Sequence, residues 1–335
     1  MKTRFVVALV VGVVLHASGS YAQQFTYSSI DVPCSSAAPT SCPNGVARQT
    51  IAEGVNPAGE IVGAFTDGVG VQHGFLLSRG RFTTIDVPGE LVGASGPLST
   101  NATGINPAGD IVGSFVASVN TSAPPQAPAY CPGTGSPACI KGFLYRRGRF
   151  EIVLFPGHPG AIPTHISPDG DIYGCLHDFD LGMSMHGAVW SRAGGVTLMA
   201  DGGELADPSL DVSMSMNNAG TPDGHMIVGL WNDSPTRRHG FVVNDGVFHS
   251  YDAIPGSSTL TAIWDINPSQ VFVGTYIDST GRHGFLQLPD GSAAVKVDPP
   301  GSTATTAFGI NPSGVIVGQY LAGGVVHGFV AVPVS

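Results

Sequence analysis

Gly104-Ile105-Asn106-Pro107-Ala108-Gly109-Asp110-Ile111-Val112-Gly113-Ser114-Phe115 reads as a hairpin. Ile105 closes one apolar segment and Ile111 opens another; between them Pro presets φ and Gly supplies a left-handed position, so the chain must turn. The pattern returns along the chain. With the glycine of Ile-Val-Gly and its variants as anchor, copies fall at Gly63, Gly113, Gly174, Gly229, Gly274 and Gly318, spaced by 50, 61, 55, 45 and 44 residues. Self-similarity at such a period signals repeat architecture and is read before any other motif.

Each copy holds four short apolar segments. The first ends in Ile-Asn, the second is the anchor strand, the third opens on His-Gly-Phe as at His73-Gly74-Phe75, and the fourth resembles Phe82 to Val87 and closes on Pro88-Gly89. Four strands joined by tight turns is the signature of a propeller blade. Composition agrees, since 47 Gly, 26 Pro and only 11% charged residues describe many short strands rather than helices. The sixth copy stops after its third strand, whereas Phe25 to Pro33 matches the fourth-strand pattern ahead of the first copy. One N-terminal strand joining three C-terminal strands would hide the edges that an open array exposes. The expectation is an all-β, six-bladed β-propeller of four-stranded blades, one domain over residues 23–335, closed by strand 25–33; a linear β solenoid is the alternative.

Lys2, Arg4, an apolar run from Phe5 to Leu15 and small residues up to Ala22 read as a signal peptide over residues 1–22, too short to span a bilayer. Its removal takes the formal charge from −10 to about −12, a balance that repels nucleic acid and anionic lipid. The expected location is secreted or periplasmic, with no later membrane span. Export permits disulfides. Cys34 with Cys42 and Cys131 with Cys139 are candidate local staples, although four cysteines allow three connectivities. Cys175 is left over within a strand pattern and reads as a buried, inert thiol.

These repeats resemble the extracellular HAF-repeat family of bacterial proteins, named for a His-Ala-Phe tripeptide that follows a G-[IV]-N-x-x-G-x-[IV]-V-G segment. The resemblance covers almost all of the mature chain. It departs from the name by carrying His-Gly-Phe in four copies, His186-Gly187-Ala188 in one and Lys141-Gly142-Phe143 in another. The resemblance implies export and a repeat-built β fold, and carries over no catalytic residue.

The third-strand histidines, His73, His186, His239, His283 and His327, suggest a metal ring, but strands two places out from an axis hold them too far apart to share an ion. They are expected to bond locally to backbone or to a neighbouring blade. Asp31, Asp86, Asp252 and Asp298 recur in the fourth strand and read as turn or surface residues. The first strand should line the channel, so its variable columns matter more. Three residues before the Asn position stand Glu53, Thr103, Thr164, Met214, Trp264 and Phe308; the next column is mostly glycine, with His165, Ser215 and Asp265 as exceptions. Glu53, His165, Trp264, Asp265 and Phe308 are therefore the candidate channel-mouth site. His177-Asp178-Phe179-Asp180 offers hard oxygen ligands that suit Ca²⁺ without EF-hand spacing; no other metal or cofactor is indicated. HExxH, GxSxG, CxxC and P-loop motifs are absent from the sequence.

Long irregular segments, Cys34 to Arg48 and Ala117 to Ile140, fall at the end of each blade opposite the Asn-Pro turns, as loops on a rigid scaffold that commonly carry binding. The expected function is non-catalytic binding of an extracellular ligand, carbohydrate or protein, through that loop face. The alternatives are a glycan hydrolase or lyase using Glu53 with Asp265 or His165, and a structural surface protein.

Overall fold

The computed structural model describes residues 24–33, 46–92, 98–118, 138–153, 160–178, 184–192, 195–198, 215–234, 237–254 and 260–334. The expected leader, Cys34, Cys42, Cys131, Phe179 and Asp180 lie outside these residues, as do the side chains of Cys139, His177 and Asp178.

The described chain is all-β. Its first strands are Gln49–Val55, Ser99–Ile105, Gly160–Ile166, Ser215–Gly220, Leu260–Ile266 and Ala304–Ile310. Each pairs antiparallel with an anchor strand, and that strand pairs with the third. A fourth strand follows in five repeats, while in the sixth Phe25–Ile30 takes that place against Val325–Pro333. Hydrogen bonding groups the strands into one sheet of sixteen, joined through single parallel bridges such as Gln49 with Val326, and two sheets of four; none closes on itself. The first strand of the sixth repeat nevertheless lies against that of the first, and Asn311 Nδ2 donates to Asn56 O at 3.3 Å.

The Asn that ends four of the first strands, Asn56, Asn106, Asn267 and Asn311, has two tasks. Asn56 Oδ1 accepts the Ala58 and Glu60 amides at 3.0 Å each, building the turn, while Gly59 takes φ +77°. Its Nδ2 reaches Asn106 O of the next repeat, Asn106 reaches Ser167 O, and Asn267 reaches Asn311 O. An Asx turn thus also ties repeat to repeat.

The core lies between repeats rather than within them. Val62, Ile85 and Val87 of the first repeat pack with Ile105, Ile111 and Phe143 of the second; Ile30 and Val317 pack with Ala52 and Phe75. Phe75, Phe143, Phe241, Phe285 and Phe329 are at most 2% exposed. Burying each such ring stabilises by about 1.5–3 kcal/mol. The glycine before it admits the fourth strand, since a Cβ on Gly284 would stand 2.5 Å from Val297 O.

The repeated histidines differ from the expectation of bonding to backbone or to a neighbouring blade, since four of them meet a carboxylate at the end of the fourth strand paired with their own. His73, His239, His283 and His327 place Nδ1 2.7–2.9 Å from Asp86, Asp252, Asp298 and Asp31. These aspartates are therefore partners of the third strand, not plain turn or surface residues. On the opposite ring edge His239 meets Asp233 at 3.1 Å and His283 meets Asp278 at 3.2 Å. An anchor-strand aromatic packs on each ring, with Phe65, Trp231, Tyr276 and Tyr320 centroids at 5.1–5.2 Å. Two carboxylates on opposite edges of an imidazole hold the ring without converging on a common point.

Cys175 is fully buried with Leu230 and Ala262, and burial pushes its thiol pKa up. It is an inert core residue, as its strand context indicates.

Candidate functional site

All six first strands break register at the same place, one residue bulging between two paired ones. Bulges bend a strand and re-aim a side chain. The bulged residues are Glu53, Thr103, Thr164, Asn218, Trp264 and Phe308. The fourth-repeat residue is Asn218 rather than Met214, and Ala219 rather than Ser215 follows it. The shift arises at the turn. Thr221 fills the Asn position, with its Oγ1 accepting the Met226 amide at 3.1 Å, in a turn one residue longer than that of Asn56 to Glu60.

The six bulged residues divide into two contiguous groups. In repeats two to four they stitch repeats together: Thr103 Oγ1 donates to Pro163 O at 2.7 Å, Thr164 Oγ1 to Asn218 O at 2.9 Å, and Asn218 Nδ2 to Ile263 O at 2.6 Å. In repeats five, six and one they are Trp264, Phe308 and Glu53. The Trp264 and Phe308 rings meet edge to face at 5.3 Å and 62°. Trp264 Nε1 donates to Thr275 Oγ1 at 3.3 Å, which fixes the indole.

The next layer runs Gly54, Gly104, His165, Ala219, Asp265, Gly309. Its glycines answer to space: a Cβ on Gly309 would lie 2.7 Å from Glu53 O, and one on Gly104 3.0 Å from His165 Cα. Only His165 and Asp265 carry polar side chains in this layer, and His165 Nδ1 stands 3.4 Å from Asp265 Oδ1. Asp265 is further held by the Ile266 and Ile310 amides, both donating at 2.8 Å. His165 is packed edge to face against Tyr173.

Thr103, Thr164, Glu53, His165, Trp264, Asp265 and Phe308 line one cavity that opens to solvent. All five sequence candidates are in its wall. Each turn adds a proline to the rim: Pro57, Pro107, Pro168, Pro222, Pro268 and Pro312. The mouth therefore opens at the Asn-turn end, not at the end bearing the long loops, most of which lie outside the described residues. Its electrostatics follow from burial. The Glu53 carboxyl is pushed up to about 7 against a lowering bond from Asn101, and Asp265 up to about 7 against its two amide donors. Burial takes His165 down to about 4, so its imidazole is neutral near pH 7. Two carboxyls titrating near neutrality beside an aromatic corner can donate hydrogen bonds, accept them, or meet a positive charge.

Among the described residues no three His, Cys, Asp or Glu side chains converge as a metal set. No helix among them is long and apolar enough to cross a membrane.

No protein-family model matches the chain, and no curated protein matches it in sequence. Solved structures do resemble it. A protein of unknown function from Dyadobacter fermentans is 12% identical with TM-score 0.53, over 92% of this chain and 99% of that one. A Hadza microbial sialidase is 8% identical with TM-score 0.53, over 85% and 65%. A mutant of Trypanosoma rangeli sialidase displaying trans-sialidase activity is 9% identical with TM-score 0.52, over 92% and 59%. The chain thus spans about six-tenths of the sialidase chains. A likeness of this degree shows the fold class alone.

Proposed function

We propose that the chain is a ligand-binding β-propeller of six four-stranded blades, closed by strand Phe25–Ile30, with its binding site at the channel mouth on the Asn-turn end. Export and membership of the HAF-repeat family belong to the same reading. The observation that carries it is the departure of the first strands from their own repeat: Trp264, Phe308, Glu53, His165 and Asp265 replace small or stitching residues and share one cavity. Pockets of this kind, apolar with a few convergent polar groups, are the usual form of a small-ligand site. The test is calorimetric titration of the full chain with a panel of saccharides, amines and peptides. Binding should fall at least tenfold in Trp264→Ala and Phe308→Ala variants that still melt cooperatively. A ligand bound equally by both variants would move the site elsewhere, the long-loop face first.

A second reading, an enzyme acting on glycans, is favoured by one observation: Glu53 and Asp265, both raised to about 7, stand in the same cavity. Carboxyls poised near neutrality suit general acid or base work. Fluorogenic glycosides, sialosides included, test it directly. Turnover lost in Glu53→Gln and Asp265→Asn supports catalysis, and binding without turnover supports a non-catalytic protein.

A further inference from the structure

We infer that the channel mouth selects a cationic ligand bearing an ammonium group, an assignment that rests on the reading that the mouth is the binding site. Three features of the cavity point the same way. First, it holds two carboxyl groups, Glu53 and Asp265, and no Lys or Arg contributes to its lining. A buried carboxylate without a counter-charge is costly, and a cation brought by the ligand supplies what the protein omits. Second, the nearest basic side chain, His165, stands 3.4 Å from Asp265, but desolvation in the wall holds it neutral at pH 7 although its side chain keeps 23% exposure. It can orient the carboxyl and does not neutralise it. Third, Trp264 and Phe308 form a rigid corner at 62° beside these acids, and their π faces attract a positive charge held within about 6 Å.

The titratable groups facing the cavity are Glu53 from the first repeat, His165 from the third, with Tyr173 behind it, and Asp265 from the fifth. An anionic ligand would meet two carboxyls and no positive charge there. A neutral ligand would bind with the carboxyls protonated and would lose nothing at lower pH. A cation instead favours the ionised carboxyls, so its binding releases protons and strengthens as pH rises.

The test titrates the full chain with choline and with its neutral isostere 3,3-dimethylbutan-1-ol at pH 6, 7 and 8, following heat and Trp fluorescence, with glucose as a neutral saccharide probe. The expected result is choline binding at least tenfold tighter than the isostere. For one carboxyl ionising near pH 7, choline affinity should rise about tenfold from pH 6 to pH 8. At least one of Glu53→Gln and Asp265→Asn, whichever removes the carboxyl that ionises, should lose that rise, and a rise kept in both single variants overturns the assignment. Equal binding of choline and its isostere, or glucose binding that depends on Trp264 while choline does not bind, overturns the cation assignment and leaves the mouth as the site. Failure of all three probes to perturb Trp264 overturns both.

Discussion

Nδ1 of His327 stands 2.8 Å from Oδ1 of Asp31, a residue 296 positions earlier, in the arrangement His283 makes with Asp298 inside a single repeat. The pair joins a polar latch to the antiparallel ladder between Phe25–Ile30 and Val325–Pro333. Charge-assisted bonds of this type contribute about 1.5–3 kcal/mol when shielded from water. Asp31→Ala should therefore lower stability by about 1–2 kcal/mol, close to the loss in Asp298→Ala, read from urea midpoints. A cost at Asp298 with none at Asp31 would mean the N-terminal strand is not latched in solution.

His73 gives this arrangement a pH dependence. Its hydrogen bond to Asp86 holds the imidazole pKa above its ordinary value, against desolvation. A raised folded pKa contributes stability that is complete below the unfolded value of about 6.5 and is lost as pH rises through the folded one. The deficit of His73→Gln relative to the unsubstituted protein should be largest near pH 5.5 and shrink toward pH 9. Urea titrations across that range check it, and a deficit independent of pH would show the imidazole acting only by packing on Phe65.

Glu53 has the opposite sense. Its carboxyl is raised from 4.5 to about 7, so the folded state binds the proton more tightly and stability falls as pH climbs between those values. The full penalty is on the order of 3 kcal/mol, less whatever water in the mouth relieves. Glu53→Gln should thus be more stable than the unsubstituted protein at pH 8 and lose that advantage at pH 5. Calorimetric melting at both values decides it, since a variant less stable at pH 8 would place the carboxylate in a wetter or better paired setting.

The repeat, its four strands and the missing last strand were legible because each rests on local chemistry: proline and glycine in turns, alternating apolar residues in strands. The bulge column was legible in five repeats for the same reason. It failed in the fourth because Asn217-Asn218 imitates the turn signal, whereas the turn itself begins at Thr221, whose hydroxyl does the work of the amide oxygen. A Thr hydroxyl and an Asn amide oxygen can each accept a turn amide, so local sequence does not say which one opens the turn. The His–Asp pairs were present as two separate recurring signals, His-Gly-Phe and Asp-Val-Pro, about 13 residues apart in the first repeat. Their meeting depends on strand register, which periodicity alone leaves open. The approach of His165 to Asp265 had no local signal, being a contact between repeats three and five. What the sequence offered was only that both stand where other repeats have glycine or another small residue.

The anchor glycines explain why the Ile-Val-Gly segment recurs at all. A Cβ on Gly113 would collide with Asn101 O of the paired first strand and come within 2.8 Å of the Phe143 ring; Gly274 and Gly318 face the same pair of neighbours in their own repeats. The backbone oxygen belongs to the bulged strand and the ring to the interface core, so neither can retreat without loosening the channel wall or the packing between repeats. Gly113→Ala should cost about 3 kcal/mol, the upper end of the usual overpacking range of a dense core. Gly59→Ala is the matched control: it has φ +77° with open space around its missing side chain, and should cost only about 1 kcal/mol of backbone strain. Denaturant titration of the two variants separates the causes. Equal losses would assign the recurring glycine to turn conformation, whereas a several-fold larger loss at Gly113 assigns it to the close approach of the first strand and the buried phenylalanine.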